Sequence, residues 1–350
     1  MLNRLKATAL SAVLLAAGLA GAAHAADISG AGATFPYPIY SDWAKAYQKK
    51  TGTGLNYQAI GSGGGIKQIE ARTVTFGATD KPLEGDELKQ NTLVQFPTVM
   101  GGIVPVVNVK GVKPGELVLD GKTLAAIYMG KITKWNDPAI AKLNKKAKLP
   151  DAAIAVVYRS DGSGTTFNYT TYLADVAPEW KDNVGVNTSV EWPVGVGAKG
   201  NQGVAANVSQ TANSIGYVEY AYALQNKMTY TDMVNKDGKR VAPKAAAFAA
   251  AAENADWSSQ PGFGVILANQ PGAKTWPMTA ATFILMHSDA KDPAASAEAL
   301  KFFDWAYAKG DKMAAKLDYI PMPDAVVKEI EQEWAEIKGS DGKAVWSAGH

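Results

Sequence analysis

The run Leu55-Asn56-Tyr57-Gln58-Ala59-Ile60-Gly61-Ser62-Gly63-Gly64-Gly65-Ile66-Lys67-Gln68-Ile69-Glu70-Ala71 changes its local grammar twice. Residues 55–60 alternate as a half-buried strand does. Residues 61–65 read as a glycine-rich tight turn, and Ile66, Ile69 and Ala71 follow at helical spacing. A strand that passes through a glycine turn into a helix is the building unit of α/β domains with largely parallel sheets. The unit recurs outward from there. Upstream, Gly30-Ala31-Gly32-Ala33-Thr34-Phe35 opens a helix over 36–50, with Ile39, Trp43, Ala46 and Tyr47 on one stripe. Downstream, Val74–Ala78 reads as a short strand, and Ile103–Val109 as one buried on both faces. Ile154–Tyr158 is a strand, Asp161-Gly162-Ser163-Gly164-Thr165 its loop, and a helix is expected from Phe167. Gly203–Val208 reads as helix, and Ile215–Val218 and Thr282–Met286 as strands. Residues 225–275 are weakly patterned. From Ala295 two amphipathic helices are expected, with Leu300, Phe303 and Tyr307 on one stripe. Trp43, Trp135, Trp192 and Trp305 read as core or interface, and Glu329–Lys338 as a solvated helix face.

Length and composition narrow the function. At 350 residues two domains are expected. Met1–Ala25 reads as a secretory signal: Arg4 and Lys6 precede an uncharged, Ala- and Leu-rich run that ends in the cleavage pattern Ala23-His24-Ala25. The mature chain is therefore expected to start at Ala26 and to be periplasmic. Of 35 Lys+Arg and 33 Asp+Glu, Arg4 and Lys6 leave with the signal, so 33 basic residues face 33 acidic ones. A neutral chain lacks the clustered positive charge of general nucleic-acid binding. With no Cys there is no disulfide, thiolate metal site, Cys nucleophile or lipid-modified Cys. Three His, two of them at or near the chain ends, argue against a His-rich metal site. No metal and no cofactor are expected.

Three loops share one design: Gly30–Phe35, Gly61–Gly65 and Asp161–Thr165. Each follows an extended segment, is rich in Gly and hydroxyls, and opens a helix. Glycine lets the backbone approach a ligand, free amides at a helix start favour an anion, and Ser and Thr add donors that rotate. Taken singly, each loop also fits an ordinary capped turn. Taken together, beyond the carboxyl ends of parallel strands, they describe an oxyanion site. None is a nucleotide loop: G-x-x-x-x-G-K-[ST] is absent, and Phe35 occupies the third glycine position of G-x-G-x-x-G. Arg159 can grip an oxyanion with two parallel hydrogen bonds, and Asp161 can hold that guanidinium. Asp80, at a strand end, fits a helix cap or turn as well as a ligand group. As a ligand group an ionised Asp only accepts. It would welcome the P–O–H of phosphate, which keeps a proton near neutral pH, and repel fully ionised sulfate. With Arg159, Asp80 and Asp161 ionised the site sums to −1, so affinity has to come from directed donors. Several charge-assisted bonds of about 1.5–3 kcal/mol each cover the roughly 8 kcal/mol of a micromolar complex.

Five stretches, in order, resemble the family of periplasmic phosphate-binding proteins of bacterial high-affinity phosphate ABC transporters. They are Ser29–Pro36, Gly61–Gln68, Phe76–Asp80, Arg159–Thr165 and Ile215–Tyr220. Leu117–Lys122 and Phe302–Tyr307 are similar too. The resemblance implies a two-lobed α/β periplasmic-binding-protein fold of type II, with two crossover segments and the ligand cleft between lobes. The division expected is residues 26–103 plus 277–350 for lobe I and 104–276 for lobe II. It implies inorganic phosphate as ligand, with Thr34, Phe35 through its amide, and Ser62 contributing from lobe I and Asp80 accepting the ligand's proton. Arg159, Ser163, Gly164 and Thr165 would grip from lobe II, with Asp161 supporting Arg159. Gly63 stands where the family pattern has a second Ser, so no further hydroxyl is expected there. The family's partners are two membrane permease subunits and their ATPase, and the protein is expected to be monomeric and not an enzyme. Two other readings stay in play. One is a binding protein for another oxyanion. The other is a secreted phosphatase with Ser163 of Asp161-Gly162-Ser163 as nucleophile, for which only His287 and His350 of the mature chain could supply an imidazole base.

Overall fold

The chain is described from a computed structural model covering residues 28–253 and 255–347. The expected signal Met1–Ala25, the new terminus at Ala26 and His350 lie outside the described residues. In chain order the strands are β1 Ile28–Gly32, β2 Leu55–Ala59, β3 Phe76–Thr79, β4 Leu93–Asn108, β5 Val118–Asp120, β6 Ala155–Arg159, β7 Val196–Ala198, β8 Ser214–Glu219, β9 Thr229–Tyr230, β10 Asp232–Val234, β11 Arg240–Val241, β12 Thr279–His287 and β13 Ile320–Pro321. The main path runs β2-β1-β3-β12-β4-β8-β6-β7, with β9 and β13 pairing β4 off it, and β11-β10-β5 form a second sheet. β1 is parallel to β2 and β3, and β6 is parallel to β7 and β8.

β4 joins the two lobes. Its residues from Leu93 to Gly102 pair antiparallel with β12, and those from Ile103 to Asn108 pair antiparallel with β8. The chain returns beside that switch: the Ile103 amide donates to the Met278 carbonyl at 2.8 Å, and the Trp276 indole donates to the Ile103 carbonyl at 2.9 Å. The strand is longer than the apolar run at 103–109 predicts. Pro97, Gly101 and Gly102 interrupt the pattern upstream, yet all lie within β4. Tertiary packing explains the glycines: a Cβ on Gly102 would meet the Phe248 ring at 2.1 Å, and one on Gly101 would meet the Phe35 ring at 3.1 Å. A register shift in β12 between Thr282 and Phe283 accommodates the Pro97 region.

The Gly61–Gly65 turn is also rearranged relative to expectation. The helix begins at Ser62 and runs to Glu70, so Gly63, Gly64 and Gly65 are helical and only Gly61 (φ 92°) is a turn residue. Helical glycines cost about 1 kcal/mol each relative to Ala. Gly63 and Gly65 lie against other backbone, and Gly64 against the Ile60 side chain. A Cβ on Gly65 would sit 2.5 Å from Gly32 Cα and 2.7 Å from the Ala31 carbonyl. Gly65→Ala is therefore expected to destabilise the protein by about 1–3 kcal/mol, read as a lowered melting temperature in circular dichroism; an unchanged melting temperature would contradict this packing.

Residues 225–275, weakly patterned in sequence, hold β9, β10, β11 and a helix Ala245–Ala252. The C-terminal region has three helices, Pro293–Lys309, Asp311–Lys316 and Asp324–Glu333, rather than two. The first packs on the lobe of β1–β3 through edge-to-face aromatic pairs: Tyr40 with Phe303, Phe76 with Phe303 and Tyr47 with Phe302. The other lobe is centred on Tyr128, Tyr169 and Tyr217. Trp43 and Trp135 are buried, and Trp192 and Trp305 are partly buried against the same core. No described helix is long and apolar enough to cross a membrane.

Candidate functional site

Each parallel unit ends by delivering a side chain to the same place. Thr34 follows β1, Ser62 opens the helix after β2, Asp80 follows β3, and Arg159 ends β6 ahead of the helix Gly164–Val176. β7 leads into a helix Gly200–Gln210 that carries Asn201. These are carboxyl ends of strands, where α/β sheets gather ligands. The loops of the two lobes touch: the Gly63 amide donates to the Gly162 carbonyl at 2.9 Å. Thr34, Phe35, Ser62, Asp80, Arg159, Ser163 and Thr165 are all buried.

Two hydrogen-bonded clusters hold them, one around Ser62 and Asp80 and one around Arg159 and Thr34. The Ser62 hydroxyl oxygen accepts from the Asp80 amide (3.1 Å) and, across the cleft, from the Gly164 amide (3.0 Å). Arg159 Nε and Nη2 donate to the two oxygens of Asp161 at 2.8 and 2.6 Å, and Nη1 donates to the Thr165 hydroxyl at 3.3 Å. Asp161 also accepts from the Gly200 amide at 3.0 Å. Ser163 caps its helix, accepting from the Thr166 amide at 3.0 Å, so the helix begins at Gly164, three residues earlier than Phe167. Phe35 enters through its backbone. Tyr222 donates to the Thr34 carbonyl at 2.6 Å and Tyr319 to the Phe35 carbonyl at 2.6 Å. Because a trans peptide points its N–H opposite its C=O, pinning the Thr34 carbonyl on Tyr222 aims the Phe35 N–H the other way.

Sequence reasoning overlooked three participants. Asn201 Nδ2 donates to the Thr34 hydroxyl at 2.8 Å and to the Thr165 hydroxyl at 3.2 Å. Thr282 donates to Asp80 Oδ1 at 2.6 Å. Asn168 Nδ2 donates to the Asp80 carbonyl at 2.6 Å. The available signals were weak: a Gly-Asn pair opening a helix, and one hydroxyl inside an apolar strand.

The electrostatics differ from a simple count of formal charges. Burial works to raise the Asp161 carboxyl, but the Arg159 hydrogen bonds and charge, with the Gly200 amide, hold it below the usual carboxylate range. Arg159 and Asp161 thus form a neutral pair, with side chains 1 % and 10 % exposed. Asp80 goes the other way. Burial pushes its carboxyl up to about 7, against the opposing pull of Thr282, Arg159 and Ser62. Its Oδ2 is buried and has no hydrogen-bond partner among the described residues. The pocket therefore sums to −1 only when Asp80 is ionised, and to zero when it holds its proton. The arrangement presents several donors and one carboxyl oxygen able to accept or donate a single proton. That is the complement of a small tetrahedral oxyanion carrying a hydrogen.

Comparison with known proteins agrees with this chemistry. A family model described as a PBP superfamily domain matches residues 18–309. The phosphate-binding protein PstS of Pasteurella multocida is 55 % identical over 324 residues, covering 92 % of this chain and 94 % of the relative. The PstS protein of Haemophilus influenzae is 52 % identical over 312 residues, covering 89 % and 93 %. Among solved structures, the high-affinity periplasmic phosphate-binding protein PfluDING bound with phosphate superposes with a TM-score of 0.70, at 22 % identity, over 87 % of this chain and 93 % of that one. At that identity the superposition speaks for the two-lobed fold.

Proposed function

This chain belongs to the PBP superfamily and, within it, to the PstS phosphate-binding proteins, and on that footing we propose that it captures inorganic phosphate in the periplasm and hands it unaltered to an ABC import permease. The observation that supports the reading is that Ser62 bonds the Asp80 and Gly164 amides while Asn201 ties Thr34 to Thr165 beside Arg159, with one buried oxygen of Asp80 left unpartnered among the described residues. In this reading lobe I is 26–103 plus 277–350 and lobe II is 104–276. Thr34, the Phe35 amide, Ser62 and Asp80 act from the first lobe. Arg159, Ser163, Gly164 and Thr165 act from the second, with Asp161 orienting Arg159. Bonds across the cleft, from Gly164 to Ser62 and from Asn201 to Thr34, hold the closed form. The partners are the two permease subunits with their ATPase, and the protein works as a monomer.

Binding rather than hydrolysis fits the surroundings of Ser163. Its hydroxyl caps a helix, and the His287 imidazole lies against the Ile69 carbonyl at 2.7 Å, in the other lobe. Native mass spectrometry of the gently purified protein is expected to find one phosphate per chain, released on unfolding. Sulfate in its place would favour another oxyanion, and aryl phosphate turnover lost in Ser163→Ala would favour a phosphatase.

Gly164 supplies a further check. A Cβ there would lie 2.5 Å from both Asp80 Cβ and Ser62 Oγ, with the Asp80 Cα at 2.7 Å. Gly164→Ala is expected to prop the lobes apart and weaken phosphate binding roughly 10- to 100-fold, about the loss of one charge-assisted bond. Calorimetric affinity equal to wild type would refute this contact.

A further inference from the structure

We propose that Asn201 is a positioning residue that makes the Thr34 and Thr165 hydroxyls obligatory donors to the bound anion, without touching the anion itself. The inference rests on the phosphate-binding reading above. Asn201 is fully buried, and its orientation is set by chemistry on one side. Its Oδ1 accepts from the Glu219 amide at 2.9 Å, and a backbone N–H can only donate. The Nδ2 end therefore faces the two threonines.

A hydroxyl oxygen has two lone pairs and one proton. Thr34 Oγ1 accepts from Asn201 Nδ2 at 2.8 Å and from the Asn201 amide at 3.2 Å. Both lone pairs are then occupied, and the oxygen has only its proton left to offer. Thr165 Oγ1 is in the same position, accepting from Arg159 Nη1 at 3.3 Å and Asn201 Nδ2 at 3.2 Å. One carboxamide thus sets the polarity of a hydroxyl in each lobe. A ligand meeting these hydroxyls has to present bare oxygen to both. A hydrogen still carried by the ligand is turned toward Asp80, whose Oδ2 is buried and without a partner among the described residues. Asn201 in this way contributes to reading the ligand's protonation.

The test is a pair of double-mutant cycles scored by phosphate affinity in calorimetry. Asn201→Ala is expected to weaken binding roughly 10- to 100-fold, the loss of about two neutral hydrogen bonds, and to lower the melting temperature because the buried Glu219 amide loses its acceptor. In a Thr165→Val background and in a Thr34→Val background, the same substitution is expected to cost at least about threefold less, because the hydroxyl it acts through is gone. A mere latch between lobes would couple to Thr34 but not to Thr165, which shares a lobe with Asn201. A loss equal within threefold in either background overturns the proposal, as does wild-type affinity in Asn201→Ala. Asn201→Leu, uncharged and of similar volume, repeats both cycles under the same criterion, so that packing lost in Asn201→Ala is separated from the lost donor. Wild-type protein that binds no phosphate would overturn the functional reading instead, which keeps the two failures distinct.

Discussion

Arg159→Met is expected to weaken phosphate binding roughly 10²- to 10⁴-fold, the span of about 3–5 kcal/mol that follows when one partner of a buried pair is removed. Two effects add. The guanidinium that faces the cleft through Thr165 disappears. Asp161, only 10 % exposed, is left without the partner that held both its oxygens, so a buried negative charge confronts the incoming anion. If the second effect matters, Arg159→Met combined with Asp161→Asn should bind phosphate better than Arg159→Met alone. Asp161→Asn by itself should cost far less than Arg159→Met, since the Arg charge remains. Titration calorimetry of the four proteins decides this. A loss under tenfold in Arg159→Met would remove the arginine from the account.

Asp80→Asn is expected to raise sulfate affinity by two decades or more while leaving phosphate affinity within about tenfold, because an amide can offer either a donor or an acceptor at the position where a carboxylate can only accept. The raised carboxyl gives the wild type a matching pH dependence. Above its value of about 7 Asp80 is ionised and repels sulfate. Below it the neutral carboxyl donates, so competition by sulfate should strengthen from pH 8 to pH 5 in wild type and stay flat in Asp80→Asn. Stability carries the same sign. The folded-state value lies above the ordinary 3.8, so the folded protein holds this proton more tightly than the unfolded chain. The stabilisation is complete below about 3.8 and is lost as the pH rises through about 7. Unliganded Asp80→Asn should therefore lose less melting temperature than wild type between pH 5 and pH 8. Sulfate competition that does not change with pH would contradict this role for Asp80.

What could be read from the chain, and what could not, follows the range of the forces involved. The strand–glycine–helix units at Gly30, Gly61 and Asp161 are local, and they located the loops that carry Thr34, Ser62 and Ser163. The Arg159–Asp161 pair spans two positions and was equally visible. Where packing overrode local pattern, reading failed. Gly63–Gly65 look like a turn but are helical, and at Gly65 only glycine lets that helix rest on Gly32 and Ala31. The first part of β4 was hidden by Pro97, Gly101 and Gly102, whose places in the strand make sense only once Phe35 and Phe248 lie beside it. Asn201 and Thr282 were missed for a related reason. Their partners Thr34 and Asp80 are 167 and 202 positions away, and neither residue sits in a pattern that distinguishes it from an ordinary buried polar group. The protonation of Asp80 was the least legible of all, since its value depends on how completely the fold buries it.

The most direct measurement is calorimetric titration of the wild-type protein with phosphate and, separately, with sulfate at pH 8, where Asp80 is ionised. The account predicts phosphate binding at micromolar concentration or tighter, one per chain, and sulfate binding at least about a thousandfold weaker, a gap of roughly 4 kcal/mol. Sulfate bound as tightly as phosphate, or no heat with phosphate at all, would contradict it.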